Sequence, residues 1–520
     1  MIARAVAEAA FADAVRACDP AARVRAALAG AAIATRLAGR ARFGIAIGKA
    51  GLAMARGAGP VEQGVAITPA DDDAPLPAGW TRMVSAHPVP DERSLAAADA
   101  AWGIARLASP RDALLVLVSG GASALIEAPR GDLSLDELRA VTGAVMAAGA
   151  PIAELNTVRA ALSQIKAGGL ALESRAPVTT LAISDVVDDD PAVIGSGPTI
   201  GAWLAHAESA PASASAPVSV PASASASASA SPSALVSGSA SDSAAVAVSV
   251  PASASASVPA SVSASASASA SAPVSGAASA SGPGSASASA PAPAPAPSAS
   301  RQMLRGCGEG VDVGAADAAL RARARELLSH YGVTGTARVA SILEAPARSL
   351  VVQRDDAAWL ISPMSAFAEA AHDALEARGV LGMFAATPIT HTVEGACNEL
   401  AASFGVIVAW GEPTLVVPEH HGEGGRAQHL ALMLAHRLRG SQRSAFIVGS
   451  DGADGPPPHA RPTPAGAFVD GDTWDAIARA GVDPHRALVR CDAGTALSAV
   501  GALVVTGPTG VNHADLVIVG

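Results

Sequence analysis

Ninety consecutive residues, Pro211 to Ser300, contain only Pro, Ala, Ser, Val and Gly apart from Leu235 and Asp242. Their Ala/Ser alternation is nominally a strand pattern, but Ala buries little surface and the recurring Pro interrupts pairing. Such a stretch cannot offset the entropy lost on ordering, so it is expected to be disordered. The fold must come from the other 430 residues (520 − 90), enough for two or three domains. Ala inflates the 50% hydrophobic share, and aromatics make up only 3%. The core must therefore be built from Val, Leu, Ile and Ala. A formal charge of −11 argues against general binding to nucleic acid or to an anionic membrane. An anionic small molecule would need a locally basic site.

The N-terminal segment mixes charges into its apolar residues and reads as an amphipathic helix, not a signal peptide. Outside the Ala/Ser tract no apolar run reaches spanning length, which predicts no membrane helix. Cys18, Cys307, Cys397 and Cys491 are scattered and form no CxxC pair, which fits a reducing cytoplasm better than a disulfide or structural zinc framework.

Helical and strand-like patterns alternate before the tract. Helices are predicted at Ile2 to Cys18, Ala21 to Leu37, Arg93 to Leu107, Leu135 to Ala148 and Thr157 to Leu170. Strands are predicted at Phe43 to Ile47, Ala113 to Val118 and Val178 to Ile183. After the tract come helices at Ala316 to His330 and Met364 to Arg378. Strands at Val406 to Ala409, Thr414 to Val417 and Ala445 to Val448 follow, with a helix at Arg426 to Leu438 and apolar runs at Ala502 to Val505 and Leu516 to Val519. Alternation of this kind implies a largely parallel sheet covered on both faces.

Ligands of doubly wound sheets sit beyond the carboxyl ends of strands, and here the unusual polar residues follow the strands. Gly48-Lys49-Ala50-Gly51 opens a helix, where backbone N–H groups and a compact ammonium can meet a phosphate; a solvated surface lysine would look the same. Ser119, Gly120, Gly121 and Ser123 form a small-residue loop suited to an anion or to a plain connection. Asp185 and Asp189, within an acidic turn, could hold a hard cation through carboxylate oxygens. Asp451 and Asp454 sit in a DGxDG turn that could orient magnesium, take a hydroxyl proton or only shape the loop. Gly422 to Ala427 matches GxGxxA, but four polar or kinked residues precede it and the first acid beyond it is Asp451, so the dinucleotide context fails. It reads instead as a glycine-rich helix start that delivers Arg426 to an anion. One compositional hint joins these sites. The chain has only two lysines, Lys49 and Lys166, and three asparagines, Asn156, Asn398 and Asn512. A GC-biased coding sequence disfavours both types, so survivors mark places where Arg or Asp could not substitute, or chance.

Taken in order, IGKAGLAM, HPVPDERSL, SGGASALIEAP, LNTVRAALSQIKAGGLA, ISDVVDDDPAVIGSGPT, THTVEGACNELA, GEPTLVV, GEGGRAQHLAL, GSDGADGP and TGPTGVNHADLVI resemble the type-2 glycerate kinases, whose C-terminal part is the MOFRL domain. The resemblance covers nearly all of the chain outside about Gly201 to Val311. It implies a larger Rossmann-like doubly wound α/β/α domain and a smaller mixed α/β MOFRL domain, with the site in the cleft. The corresponding boundaries are 1–200 for the first domain, 201–311 for the disordered insertion, 312–404 for a connecting helical region and 405–520 for MOFRL. It implies transfer of the ATP γ-phosphoryl to D-glycerate, giving 2-phosphoglycerate, with Mg2+. Small-molecule substrates are then the partners, with no nucleic acid and no membrane, and a homodimer is left open. Carried over by residue, Lys49 and Arg426 would neutralise phosphoryl charge, and Asp451 would orient or deprotonate the glycerate hydroxyl or bind magnesium. Glu412 is a further metal candidate and Asn512 a substrate contact. Asn156, Arg159 and Lys166 would supply a second anion contact.

This chain departs from the family in places. GGRNQE reads Gly424-Gly425-Arg426-Ala427-Gln428-His429, SGGGS reads SGGAS at Ala122, and Asp-Ser-Tyr reads Asp492-Ala493-Gly494. Two other readings therefore stand beside a glycerate kinase: an NAD(P)-dependent hydroxypyruvate reductase, a name often attached to the family, and a catalytically impaired relative that only binds.

Overall fold

The computed structural model describes residues 1–202, 204–206, 301–306, 310–456 and 462–520. The tract at 211–300 and Cys307 lie outside these residues. Strands β1 (Arg42–Ile47), β2 (Gln63–Thr68), β3 (Trp80–Val84), β4 (Ala113–Val118), β5 (Val178–Ile183), β6 (Leu204–His206) and β7 (Arg301–Gly306) belong to one sheet. Val311–Asp312 (β8) and Val351–Val352 (β9) form a short ribbon, and Ala357–Ser362 (β10) returns to the first sheet. The order of that sheet is β3-β2-β1-β4-β5-β10-β7-β6. From β3 through β10 every pairing is parallel, and β7 and β6 add an antiparallel edge.

β4, β5 and β10 are buried along their whole length. Parallel strands covered on both faces need this near-continuous apolar character. The first face is packed by Ile45, Ile47, Val116 and Leu125, with the helix Glu92–Leu107 laid over it. The second is packed by Leu115, Leu117, Leu181 and Met54, the last on the helix Gly51–Ala58.

Met383–Phe384 (β11), Ile407–Gly411 (β12), Ser444–Val448 (β13), Gly466–Asp470 (β14), Leu503–Val504 (β15) and Asp515–Val519 (β16) form the second sheet, in the order β11-β12-β16-β13-β14-β15. It is antiparallel except between β11 and β12. The observed class is therefore the expected one, a parallel-core α/β sheet joined to a smaller mixed α/β part.

The sheets cut across the boundaries read from sequence. The N-terminal helix Arg4–Ala17 packs on the second sheet: Phe11 meets Phe367 and Phe446 edge-on, with ring centroids 5.3 and 6.2 Å apart. The N–H of Ile2 donates to Ser444 Oγ at 3.0 Å. The region 312–404, read as helical, contributes β10 to the centre of the first sheet, between β5 and β7. The Ala21 to Leu37 helix is interrupted at Gly30. The Thr157 to Leu170 helix ends at Ala161 and restarts at Gly169. Thr414 to Val417 is not a strand but a loop held between Pro413 and Pro418, with Val416 largely exposed. No described helix is long and apolar enough to cross a membrane.

Candidate functional site between the two sheets

The turn after β1 is anchored by its own backbone. The N–H of Lys49 donates to the Gly120 carbonyl at 2.9 Å, that of Ala50 to Ser119 Oγ at 3.1 Å, and that of Gly51 to the Gly48 carbonyl at 3.0 Å. The expectation that these N–H groups cradle a phosphate is therefore corrected; the side chain of Lys49 is what the turn offers. Ser119, fully buried, shapes this turn and does not face a ligand.

Lys49 reaches across to the second sheet. Its Nζ donates to Asn512 Oδ1 at 3.3 Å and lies 3.8 Å from Asp451 Oδ2, with 37% of the side chain exposed. Gly120 sits beneath this meeting point. A Cβ there would stand 2.0 Å from Asp185 Oδ2 and 2.1 Å from Asn512 Nδ2, so only glycine lets the loop, the carboxyl and the amide converge. Asn512 is buried, and its Nδ2 has no hydrogen-bond partner among the described residues. Burial, reinforced by Glu412, pushes the Asp185 carboxyl above its usual range, while Lys49 pulls it back.

Arg426, the first residue of the helix Arg426–Arg437, is held from two sides. Its Nε and Nη2 donate to Asp515 at 2.6 and 3.2 Å, and its Nη1 and Nη2 reach Glu412 at 3.2 and 2.9 Å. Burial works against its charge, yet Asp515 and Glu412 raise its pKa. Asp515 escaped the sequence reading, although an acid at the head of the apolar strand DLVIV is itself a signal.

Several expectations change in role. Asp454 accepts the N–H groups of Ala427 and Gln428 at 3.0 and 2.7 Å, so it closes the helix start. The same two bonds occupy N–H groups that a pyrophosphate would need. Asp189 Oδ1 accepts the Met364 N–H at 2.9 Å. Asp185, Asp189 and Asp454 form no preassembled cage: among the described residues, only His372, Asp373 and Glu376 bring three such ligand atoms within 4.8 Å of one another. Lys166 is buried and paired to Glu127 at 2.6 Å, and Glu127 also accepts from Ser163 Oγ and the Ala128 N–H. That lysine is not a second anion contact.

The departures from the family pattern are accommodated. The Ala122 methyl faces Gly195, where a Cβ would come within 2.8 Å of it. Asp492 Oδ1 accepts the Glu423 N–H at 2.9 Å, and the Gly494 N–H donates to the Glu423 carbonyl at 2.8 Å, bracing the glycine loop before Arg426. Ala427 and His429 are buried and make no hydrogen bond to Arg426; burial lowers the His429 pKa.

His513, also missed, ties the sheets together. Its Nε2 pairs with Ser362 Oγ at 2.7 Å, and the Ser362 carbonyl accepts the Ser184 N–H at 3.0 Å. Ser450 Oγ donates to the His513 carbonyl at 2.6 Å and accepts its N–H at 2.8 Å, which fixes the neighbouring Asn512.

Beside this charged centre lies a cavity of about 300 Å³, lined among others by His87, Gly121, Ser123, Asn156, Arg159 and Asp185. Burial and the nearby Lys49 lower the His87 pKa. Ser123 and Asn156 are linked through Ser196 Oγ, at 2.8 and 3.4 Å. Ser196 has φ +60°, between Gly195 and Gly197 at +61° and +56°. Ala167 and Gly168 hold this left-handed turn by donating to the carbonyls of Ser196 and Gly197 at 3.1 and 2.8 Å.

Two family models match the chain in succession: a domain of unknown function, DUF4147, over residues 6–210, and the MOFRL family over residues 405–515. A relative from Agrobacterium vitis that carries a hydroxypyruvate reductase name is 44% identical over 137 residues, 26% of this chain and 31% of its own length. The chain thus spans about a third of the length of the first curated relatives it matches. A D-glycerate 2-kinase from Thermotoga maritima is 27% identical over 490 residues, covering 91% of this chain and 89% of that protein. The crystal structure of a glycerate kinase from Thermotoga maritima matches with a TM-score of 0.67 at 22% identity, covering 99% of this chain and 98% of that one. The described residues share that fold, and the two family models fall in order on the two halves of one cleft. The chain belongs to the type-2 glycerate kinase family, with its DUF4147 and MOFRL parts.

Proposed function

We propose that the protein phosphorylates D-glycerate with ATP to give 2-phosphoglycerate. The observation that carries this reading is the convergence of Lys49, Asp451, Asn512 and Asp185 on Gly120, with Arg426 held by Glu412 and Asp515 on the same cleft. Phosphoryl transfer needs positioning and charge neutralisation more than covalent help. Lys49 and Arg426 supply positive charge for the phosphoryl oxygens, and Asn512 Nδ2, beside Asp185, is a donor that a substrate oxygen could share. The acceptor hydroxyl oxygen bonds to the γ-phosphorus as the bond to the β–γ bridging oxygen breaks. ADP leaves, and the hydroxyl proton passes to Asp451 or Asp185.

Magnesium suits this donor set. Asp185 and Glu412 repel each other across the cleft, and Mg2+ needs only one or two carboxylates besides phosphate oxygens and water. Bound there, it would neutralise phosphate charge and align the phosphoryl group. The cytoplasm fits a reaction drawing on ATP, and Cys18, Cys397 and Cys491 are unpaired and buried.

The test is incubation with MgATP and D-glycerate, followed by phosphorus NMR. The expected products are ADP and 2-phosphoglycerate. No phosphorylated product from folded protein would retire the reading. NADH consumption with hydroxypyruvate would favour a reductase instead, against the Asp454-occupied helix start.

A further inference from the structure

We infer that the cavity beside the charged centre seats the acceptor acid, and that Arg159 is the residue that reads its carboxylate. This rests on the phosphotransfer reading and names the acceptor's place within it.

Arg159 lines the cavity half-buried, yet no carboxylate lies within 4.0 Å of it among the described residues. Its side chain donates to Asn156 Oδ1 at a long 3.4 Å. A guanidinium carries five N–H donors arranged to grip a carboxylate in the plane. Burial lowers the Arg159 pKa, and the negative group that counters this, Glu127, is already bound to Lys166, Ser163 and the Ala128 N–H. Arg159 is therefore a partly desolvated cation whose pairing is incomplete, which a ligand carboxylate would complete.

The cavity lining mixes polar groups with apolar ones such as Pro88, Leu138, Ile152 and Val193. Asp185, which lies against Gly120 beside the Lys49 centre, repels an anion, Glu127 in the lining is already paired to Lys166, and Arg159 attracts an anion. A short hydroxy acid would therefore enter with its carboxylate at Arg159 and its hydroxyl carbons toward Asp185 and Lys49. Ser123 and Asn156, fixed through Ser196, supply uncharged partners for those hydroxyls. At about 300 Å³ the space lies at the bottom of the range of small-molecule pockets, about 300–1,000 Å³, which suits a three-carbon acid and leaves the nucleotide outside.

The test is calorimetric titration of D-glycerate, and separately of ATP, into the parent, Arg159→Met, Arg159→Lys and Ser123→Ala, with folding checked by circular dichroism. Loss of a charged hydrogen-bond pair predicts at least about thirtyfold weaker D-glycerate binding for Arg159→Met. ATP affinity should change by less than about threefold, Arg159→Lys should recover part of the loss, and Ser123→Ala should weaken glycerate by about fivefold. D-glycerate binding within about threefold of the parent in Arg159→Met would overturn the inference, even if the parent phosphorylates glycerate. So would a parallel loss of ATP affinity, or a parent that binds no D-glycerate. Arg159-dependent glycerate binding by a parent with no turnover would keep the pocket and retire the kinase reading. Should Arg159→Met not fold, Arg159→Lys and Ser123→Ala decide: parent-like D-glycerate affinity in both overturns the inference.

Discussion

Lys49 and Lys166 are the chain's two lysines, each in a loop that follows or precedes a short helix, and the fold gives them opposite surroundings. Lys166 is sealed in, its side chain 1% exposed and 2.6 Å from a Glu127 that is equally hidden. Lys49 stands in the cleft with only long contacts, 3.3 Å to Asn512 and 3.8 Å to Asp451. A buried ammonium is tolerable only with a close counter-charge. A half-exposed one with loose partners can exchange them for a ligand's oxygens. Scarcity in the sequence singles out the two lysines; the distance to the carboxylate separates the one sealed in a pair from the one left open to a ligand.

The largest expected effect attacks the sealed side. Lys166→Ala should lower unfolding free energy by about 3–5 kcal/mol, because Glu127 is left as an unpaired buried charge. Urea denaturation measures this, and the double variant Glu127→Leu/Lys166→Met should regain most of it. A loss below about 1 kcal/mol would erase the contrast between the lysines.

On the open side, Lys49→Ala should leave the melting temperature nearly unchanged while turnover drops at least about a hundredfold. Arg426→Ala should fall comparably in turnover. ADP release under saturating substrates reads both, and turnover within a few-fold of the parent would make Lys49 an ordinary surface residue.

Asp515→Asn tests how much of the open side depends on the clamp around Arg426. Since Glu412 still holds the guanidinium, turnover should fall by about tenfold, equivalent to about 1.4 kcal/mol, with smaller changes in either KM. An unchanged kcat would show that Glu412 alone positions the arginine.

The smallest effect concerns His513, which joins the sheets behind Asn512. Burial lowers its pKa from 6.5 to about 3. Above pH 6.5 it is neutral in both folded and unfolded chains, so its contribution is intact. As pH falls from 6.5 toward 3 only the unfolded chain takes up the proton, and that contribution drains away. Between pH 7 and 5.5 the stability gap between the parent and His513→Gln should shrink by about 1.2 kcal/mol, read from urea curves at the two pH values. A constant gap would mean the imidazole is solvated.

Much of the first sheet was legible because β1, β4 and β5 are short apolar runs followed at once by small polar loops. β10 was not, since its six residues run almost directly into the helix read at Met364 to Arg378, and nothing separated a strand from a buried lead-in to that helix. Thr414 to Val417 misled in the other direction: β-branched residues favour strands, but here they lie between two prolines and Val416 faces solvent. At the site, the candidates Lys49, Asp451, Asn512, Glu412 and Arg426 meet along one cleft. Ser119 and Asp454 turned out to serve the backbone, and Asp515, Glu127, His87 and His513 went unread. For Ser119, Asp454, Asp515 and Glu127 the cause is common: hydroxyls and carboxylates look alike in sequence whether they face a ligand or a neighbouring protein group.

The sequence by itself determined the α/β class and the polar loops at the strand ends, and it singled out Lys49 as a candidate. Those are local properties, written in apolar periodicity and in the conformational limits of Gly and Pro within a few residues. Only the tertiary structure decided which charges are paired and which stay available. Lys49 and Asn512 are 463 positions apart and meet only because two sheets close on each other. Desolvation, which separates the sealed Lys166 from the open Lys49, is set by every neighbour brought in by the fold, and no stretch of sequence contains those neighbours.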